Sequence, residues 1–178
     1  NFFSILVLGG SQGAKVFGNI IPNVIKMVND QGYPIHIRQQ CIEEQKEEII
    51  NFYKKYNIKA DIFVFREDIL KLMSASNLAI TRCGASSSAE LMHTLTPFIA
   101  VPLPNSIDNH QYLNAKYYKD KGCCWLLEQE KFNTENLYNL IIKIIKNKKI
   151  LEDVSENMKK DYSKNVYQNI ENGIKEFI

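Results

Sequence analysis

An α/β fold, a parallel sheet covered by helices on both faces, is predicted for this 178-residue chain on three observations. Short β-rich runs alternate with helical patterns along the sequence, the runs are almost continuously apolar, and glycines follow the first of them directly. One apolar strand after another, each separated by a helix, forces parallel pairing with both sheet faces buried. In such sheets ligands sit beyond the carboxyl ends of the strands, so the loops there are where function is sought.

The first strand, Phe3 to Leu8, runs into Gly9-Gly10-Ser11-Gln12-Gly13-Ala14, and helical sequence begins at about Ala14. A tight glycine turn between a buried strand and a helix lets main-chain N–H groups face an anion. The spacing is not the G-x-G-x-x-G of a dinucleotide site, and no acidic residue closes the second strand, which ends Ile37-Arg38-Gln39-Gln40. Nor is it a Walker loop, since Lys15 follows Ala14. A plain structural turn is the competing reading.

Pro22 lies within the first helical pattern and is expected to kink it. Strands follow near Pro34 to Arg38, Ile62 to Phe65, Leu78 to Thr81, Phe98 to Val101 and Cys123 to Leu126, with helices from about Cys41, Glu67, Ser86 and Asp108. After Asn133 the pattern is helical to the end. Its last part is polar enough to lean on something outside this chain.

Composition allows one well-buried domain, with 45% hydrophobic residues and a net charge of +2. Ile, Lys and Asn supply 60 of the 178 residues, so the lysines reflect bias rather than a clustered basic footprint, and nucleic acid is set aside. Cys41, Cys83, Cys123 and Cys124 form no C-x-x-C pair and have no histidine at zinc-ligand spacing. A reduced cytosol fits them, without metal or disulfides. No apolar run approaches the roughly 18 residues of a membrane span, and the start does not read as a signal peptide. Asn1 leads almost at once into a strand, and a longer protein is expected upstream.

Three further loops carry chemistry. After the fourth strand comes Thr81-Arg82-Cys83-Gly84-Ala85-Ser86-Ser87-Ser88-Ala89-Glu90, with small residues around a helix start and a carboxylate one turn inside. A rise of about 1.5 Å per residue sets Glu90 roughly 6 Å beyond Ser86, about the span from a diphosphate to a ribose. Ser87-x-x-Glu90 also reads as a capping box, and both readings stand. After the fifth strand, helical spacing puts His110 and Asn114 on one face with Gln111 beside them, suited to sugar hydroxyls. Asp108-x-x-Gln111 as a second capping box is the alternative. In Val64-Phe65-Arg66-Glu67-Asp68, Phe65 either stacks on a base or belongs to the core. His36 and His93 have no motif around them and are read as structural.

Together these segments resemble the carboxyl-terminal donor-binding domain of the MurG family of peptidoglycan glycosyltransferases. The matching elements are GGSQGA at Gly9 to Ala14, F-x-x-D at Phe65 to Asp68, R-x-G-A-x-x-x-x-E at Arg82 to Glu90, P-x-P at Pro102 to Pro104, and D-N-H-Q-x-x-N-A at Asp108 to Ala115. They keep family order and spacing over the first 125 residues or so. The family's H-Q-S/T-G element appears instead as Arg38-Gln39-Gln40-Cys41.

The resemblance implies one half of a glycosyltransferase B-type fold, with residues 1–178 as the carboxyl-terminal UDP-sugar-binding domain. It implies that Ser11, Gly13, Ala85, Ser86 and Ser87 hold the diphosphate of UDP-N-acetylglucosamine and that Glu90 holds the ribose. Uracil would lie near Phe65 and the backbone of Arg66, and the sugar against His110, Gln111 and Asn114. Glu90 and Gln111 would then face the cleft rather than their own backbone. The implied reaction is an inverting transfer to a lipid-linked muramoyl-pentapeptide, at the inner face of the bacterial membrane. No Asp-x-Asp occurs, and no cofactor or metal is expected for donor binding. The general base, the lipid acceptor site and the main membrane contact would belong to an amino-terminal domain, so these residues alone would bind donor without catalysing transfer. Two alternatives are a separately encoded donor-binding subunit of a two-chain membrane glycosyltransferase and a UDP-N-acetylglucosamine 2-epimerase relative.

Overall fold

The computed structural model describes residues 2–10 and 14–175, with side chains to residue 163. Six strands form one parallel sheet: β1 (Phe3–Leu8), β2 (Ile35–Gln40), β3 (Lys59–Phe63), β4 (Leu78–Thr81), β5 (Phe98–Ala100) and β6 (Cys124–Leu126). Their spatial order is β3-β2-β1-β4-β5-β6. The chain therefore reverses direction across the sheet between β1 and β4, and a crevice opens there at the strands' carboxyl ends.

Strand alternation sorts the core into two layers. Ile5, Val7, Ile35, Ile37, Leu78, Ile80 and Ile99 face α1 (Lys15–Asp30), α2 (Glu43–Lys55) and α6 (Thr134–Lys146). Leu6, Leu8, Ala79, Phe98 and Ala100 face α3 (Ile69–Ser74), α4 (Ala85–Thr94), α5 (His110–Asp120) and α7 (Lys148–Lys175). Neighbouring residues of β1 thus enter opposite layers, which is why the strand is apolar at every position but Ser4. Each such aliphatic side chain contributes about 1.5–3 kcal/mol on burial.

Several boundaries differ from the sequence reading, each for a physical reason. β3 starts at Lys59 and ends at Phe63, so Phe65 lies beyond it and is 76% exposed rather than in the core. As an edge strand, β3 carries polar residues at its start and lacks the apolar signature. β2 continues through Gln40, two residues past the Arg38 at which its apolar pattern stops. α1 continues as one helix from Lys15 to Asp30 through Pro22, whose missing N–H leaves the Gly18 carbonyl without its rung. The long terminal pattern divides at Asn147, whose φ of −126° and ψ of 86° leave the helical region. Within the chain, α7 seats Val154 and Met158 in the second core layer and pairs Asp161 with Lys121 after α5.

The four cysteines are buried and free. Among the described residues no helix is long and apolar enough to cross a membrane.

Candidate functional site

The crevice is built from two strand ends in register, Leu8 beside Thr81, and Arg82 N–H donates to Leu8 O at 3.2 Å just past that pair. On the β1 side the chain turns at Gly10, whose φ of +80° is the left-handed region that glycine enters without strain. Ser11 and Gly13 fall outside the described residues. α1 then begins after Ala14, which supplies no side-chain cap.

On the β4 side, α4 begins at Ala85, with Gly84 as its N-cap and no side chain capping the first turn. The first rung is Ser88 N–H to Gly84 O at 3.0 Å, so the N–H groups of Ala85, Ser86 and Ser87 precede the helical ladder. Ser88 turns inward, donating its hydroxyl to Gly84 O and lying 3.2 Å from Cys83 Sγ. The capping box centred on Ser87 is not formed, because Ser87 already sits inside the helix. Glu90, one turn further along, is half-buried and lines a cleft of about 570 Å³ with Gly10, Gln40, Phe65, Arg66 and Ser87. A carboxylate there can accept hydrogen bonds from hydroxyls placed between the helix start and the β3–α3 loop.

That loop is braced by charge. The Arg66 guanidinium donates from Nε and Nη2 to Asp68, at 2.8 Å each, and from Nη1 to Asp61 at 3.0 Å. Its hydrogen bond with Arg66 holds the Asp68 carboxyl below its ordinary pKa. With the Arg66 side chain thus committed, the main chain and the Phe65 ring form the exposed rim.

His110, Gln111 and Asn114 all lie at the start of α5, as their spacing requires, but each already has a partner inside the chain. Asn114 Nδ2 donates to Cys83 O at 3.2 Å, tying α5 to the residue before the α4 cap. Leu103 N–H donates to Gln111 Oε1 at 3.0 Å, which braces the Pro102–Pro104 loop. Gln111 forms no capping box, since Asp108 and Asn109 are left-handed, with φ of 48° and 55°. Its oxygen is taken by the Leu103 amide instead. His110 Nδ1 donates to Ile107 O at 2.7 Å, leaving Nε2 as the outward acceptor.

Two residues that sequence reasoning did not single out hold the site together. Arg82 is buried, with Nη1 donating to Val101 O and Pro102 O at 3.1 and 3.2 Å and Nη2 to Gln129 Oε1 at 2.6 Å. Its guanidinium lies 5.0 Å from the centre of the Phe17 ring, and burial lowers its pKa from the ordinary value. One cation thereby fastens the ends of β4, β5 and β6 and α1. The second residue is Gln40, which reaches both neighbouring loops.

The model of the glycosyltransferase family 28 C-terminal domain matches residues 4–170. Over 167 residues the chain is 39% identical to the UDP-N-acetylglucosamine--N-acetylmuramyl-(pentapeptide) pyrophosphoryl-undecaprenol N-acetylglucosamine transferase of Pelagibacter ubique, covering 94% of this chain and 47% of the relative. The like-named transferase of Rickettsia bellii is 39% identical over 160 residues, covering 89% and 45%. The chain thus spans about half the length of the curated relatives it matches. Among solved structures, that of Acinetobacter baumannii MurG superposes with a TM-score of 0.80 at 29% identity, covering 90% of this chain and 46% of that one. A UDP-GlcNAc 2-epimerase from Neisseria meningitidis bound to UDP-GlcNAc reaches 0.62 at 12% identity, covering 94% and 44%, which shows a shared fold and no more.

Proposed function

The chain belongs to the glycosyltransferase family 28 C-terminal domains, and from that premise we propose that it is the donor-binding half of an N-acetylglucosaminyltransferase that converts an undecaprenyl-pyrophosphoryl muramoyl-pentapeptide to its disaccharide form. In this reading residues 1–178 are the carboxyl-terminal domain of a two-domain enzyme that works at the inner face of the bacterial membrane. The observation that carries it is α4: an uncapped first turn, with a carboxylate one turn inside facing the same cleft as Gly10 and Phe65.

UDP-N-acetylglucosamine is laid along that crevice. Its diphosphate meets the N–H groups of Ala85, Ser86 and Ser87 and the glycine turn with Ser11 and Gly13. Its ribose hydroxyls donate to Glu90. Uracil lies against Phe65 and the main chain of Arg66, and the sugar extends towards α5, with His110 Nε2 free to accept. Gln111 and Asn114 would meet the sugar through the amide atoms not engaged with Leu103 and Cys83, Nε2 of the first and Oδ1 of the second.

In the reaction an acceptor hydroxyl oxygen bonds to the anomeric carbon from the face opposite the nucleotide. The bond from that carbon to the β-phosphate oxygen breaks, UDP departs with the electron pair, and the hydroxyl proton passes to a base of the other domain. Charge grows on the diphosphate as the bond breaks, where fixed main-chain dipoles stabilise it without reorganising. Bound unchanged, the donor would gain nothing in rate; the benefit lies in amides that meet more charge in the transition state.

Calorimetry with UDP-N-acetylglucosamine, UDP-N-acetylgalactosamine and NAD, on the wild type and on Glu90→Ala, tests this. Selective binding of the first that weakens in the variant is expected. Equal binding of NAD would remove the reading.

A further inference from the structure

We propose that Gln40 is a positioning residue whose carboxamide extends the sheet by one rung and locks the glycine turn to the β3–α3 loop. This rests on the donor-binding reading for its functional consequence, though not for its geometry. In the β1–β2 ladder Phe3 pairs with Ile35 and Val7 with Gln39, and Phe3 N–H donates to Pro34 O. Parallel ladders repeat every two residues, so Gly9 N–H falls due opposite the main-chain carbonyl of Gln40. It is met by that residue's side chain instead, at 3.0 Å to Oε1. On the other flank, Cys41 N–H takes the last β3 carbonyl, Phe63 O, at 2.9 Å. Gln40 Nε2 donates at 3.1 Å to the next one, Val64 O, which lies just beyond β3.

The carboxamide thus has the polarity of a strand segment, oxygen towards β1 and nitrogen towards β3. Its orientation follows from its partners, because a flip would set donor against donor and acceptor against acceptor. A shorter hydroxyl side chain cannot reach both neighbours at once. Gln40 also lines the cleft shared by Gly10, Phe65, Ser87 and Glu90. The two loops it spans are those assigned to the diphosphate and to the base, so it sets the distance between the two ends of one nucleotide.

The test is Gln40→Met, which keeps length and apolar packing but removes both the acceptor and the donor. Amide exchange at Gly9 in ¹⁵N-labelled protein is expected to quicken about tenfold or more, and the Kd for UDP to rise about tenfold. Gln40→Glu keeps an acceptor for Gly9 but sets its second carboxylate oxygen against Val64 O, so Gly9 protection should stay close to the wild-type value while exchange at Phe65 quickens. Should the methionine variant not fold, that protection together with loosening at Phe65 carries the test. Gly9 exchange unchanged in Gln40→Met, or faster exchange with unchanged UDP affinity, overturns the proposal. A wild type that binds UDP no better than ADP removes the donor reading instead, while the exchange data still decide the clamp.

Discussion

Replacing Ala85 with proline separates the main-chain cradle from every side-chain contribution. Ala85 is the first residue of α4 and is exposed, and its N–H precedes the first rung at Ser88. Proline is at home in that position, where its φ of about −65° suits the helix and the missing N–H breaks no intrahelical bond. Gly84, with φ of −68° and ψ of 153°, already has the extended conformation that a following proline demands. Stability should therefore change by no more than about 0.5 kcal/mol, moving Tm by roughly 2 °C or less. One hydrogen bond from an amide to a charged phosphate oxygen is lost, worth about 1.5–3 kcal/mol, so UDP should bind about 10- to 100-fold more weakly. Uridine lacks the diphosphate and should bind both proteins alike. Calorimetry with UDP and uridine, beside thermal melts, reads all three quantities. Unchanged UDP affinity in a folded variant would refute the assignment of this helix start to the phosphates.

Other consequences follow from the same geometry. Glu90→Ala should weaken UDP by about 1.5–3 kcal/mol with little change in Tm, and should abolish preference for UDP over its 2′-deoxy analogue; a lower Tm with unchanged affinity would return Glu90 to a helix-stabilising role. Arg82→Ala strips the donor from three acceptors and should cost about 3 kcal/mol or more, seen as a fall in Tm of roughly 6–12 °C, with Arg82→Lys recovering part of it. Phe65→Ala should leave urea stability within about 0.5 kcal/mol, because the ring is mostly exposed, yet weaken uridine binding. Burial, with the Arg38 and Lys59 charges beside it, lowers the His36 pKa on folding, so the unfolded chain takes up the proton first as pH falls. Stability is then fully present above about pH 6.5 and declines as pH drops from there towards the folded value; His36→Gln should flatten that decline in urea melts.

What was legible in the sequence was whatever repeats locally. β1, β4 and β5 are apolar at nearly every position because both of their faces are covered, and the glycine turn after β1 announces itself by residue type. β3 starts three residues before its apolar pattern does, because Lys59 and Ala60 are exposed at a sheet edge, where no such pattern is imposed. Two capping boxes could be drawn from spacing alone, and neither forms: Gly84 takes the cap of α4, and Asp108 and Asn109 turn left-handed before α5. Arg82 and Gln40 were hidden for a different reason. Their partners lie 19 to 47 and 24 to 31 residues away, so their work exists only once the strand ends converge. Spacing alone puts Gln111 and Asn114 on α5, but their hydrogen bonds to Leu103 and Cys83 depend on the same convergence.

The central claim is that the crevice between β1 and β4 grips a uridine sugar donor through main-chain amides, and amide chemical-shift mapping of the labelled chain tests it most directly. Titration with UDP-N-acetylglucosamine should move the signals of Gly9, Gly10, Phe65, Arg66, Ala85, Ser86 and Ser87 together, and NAD should leave them in place. Shifts confined to another part of the surface, or the same response to both nucleotides, would contradict it.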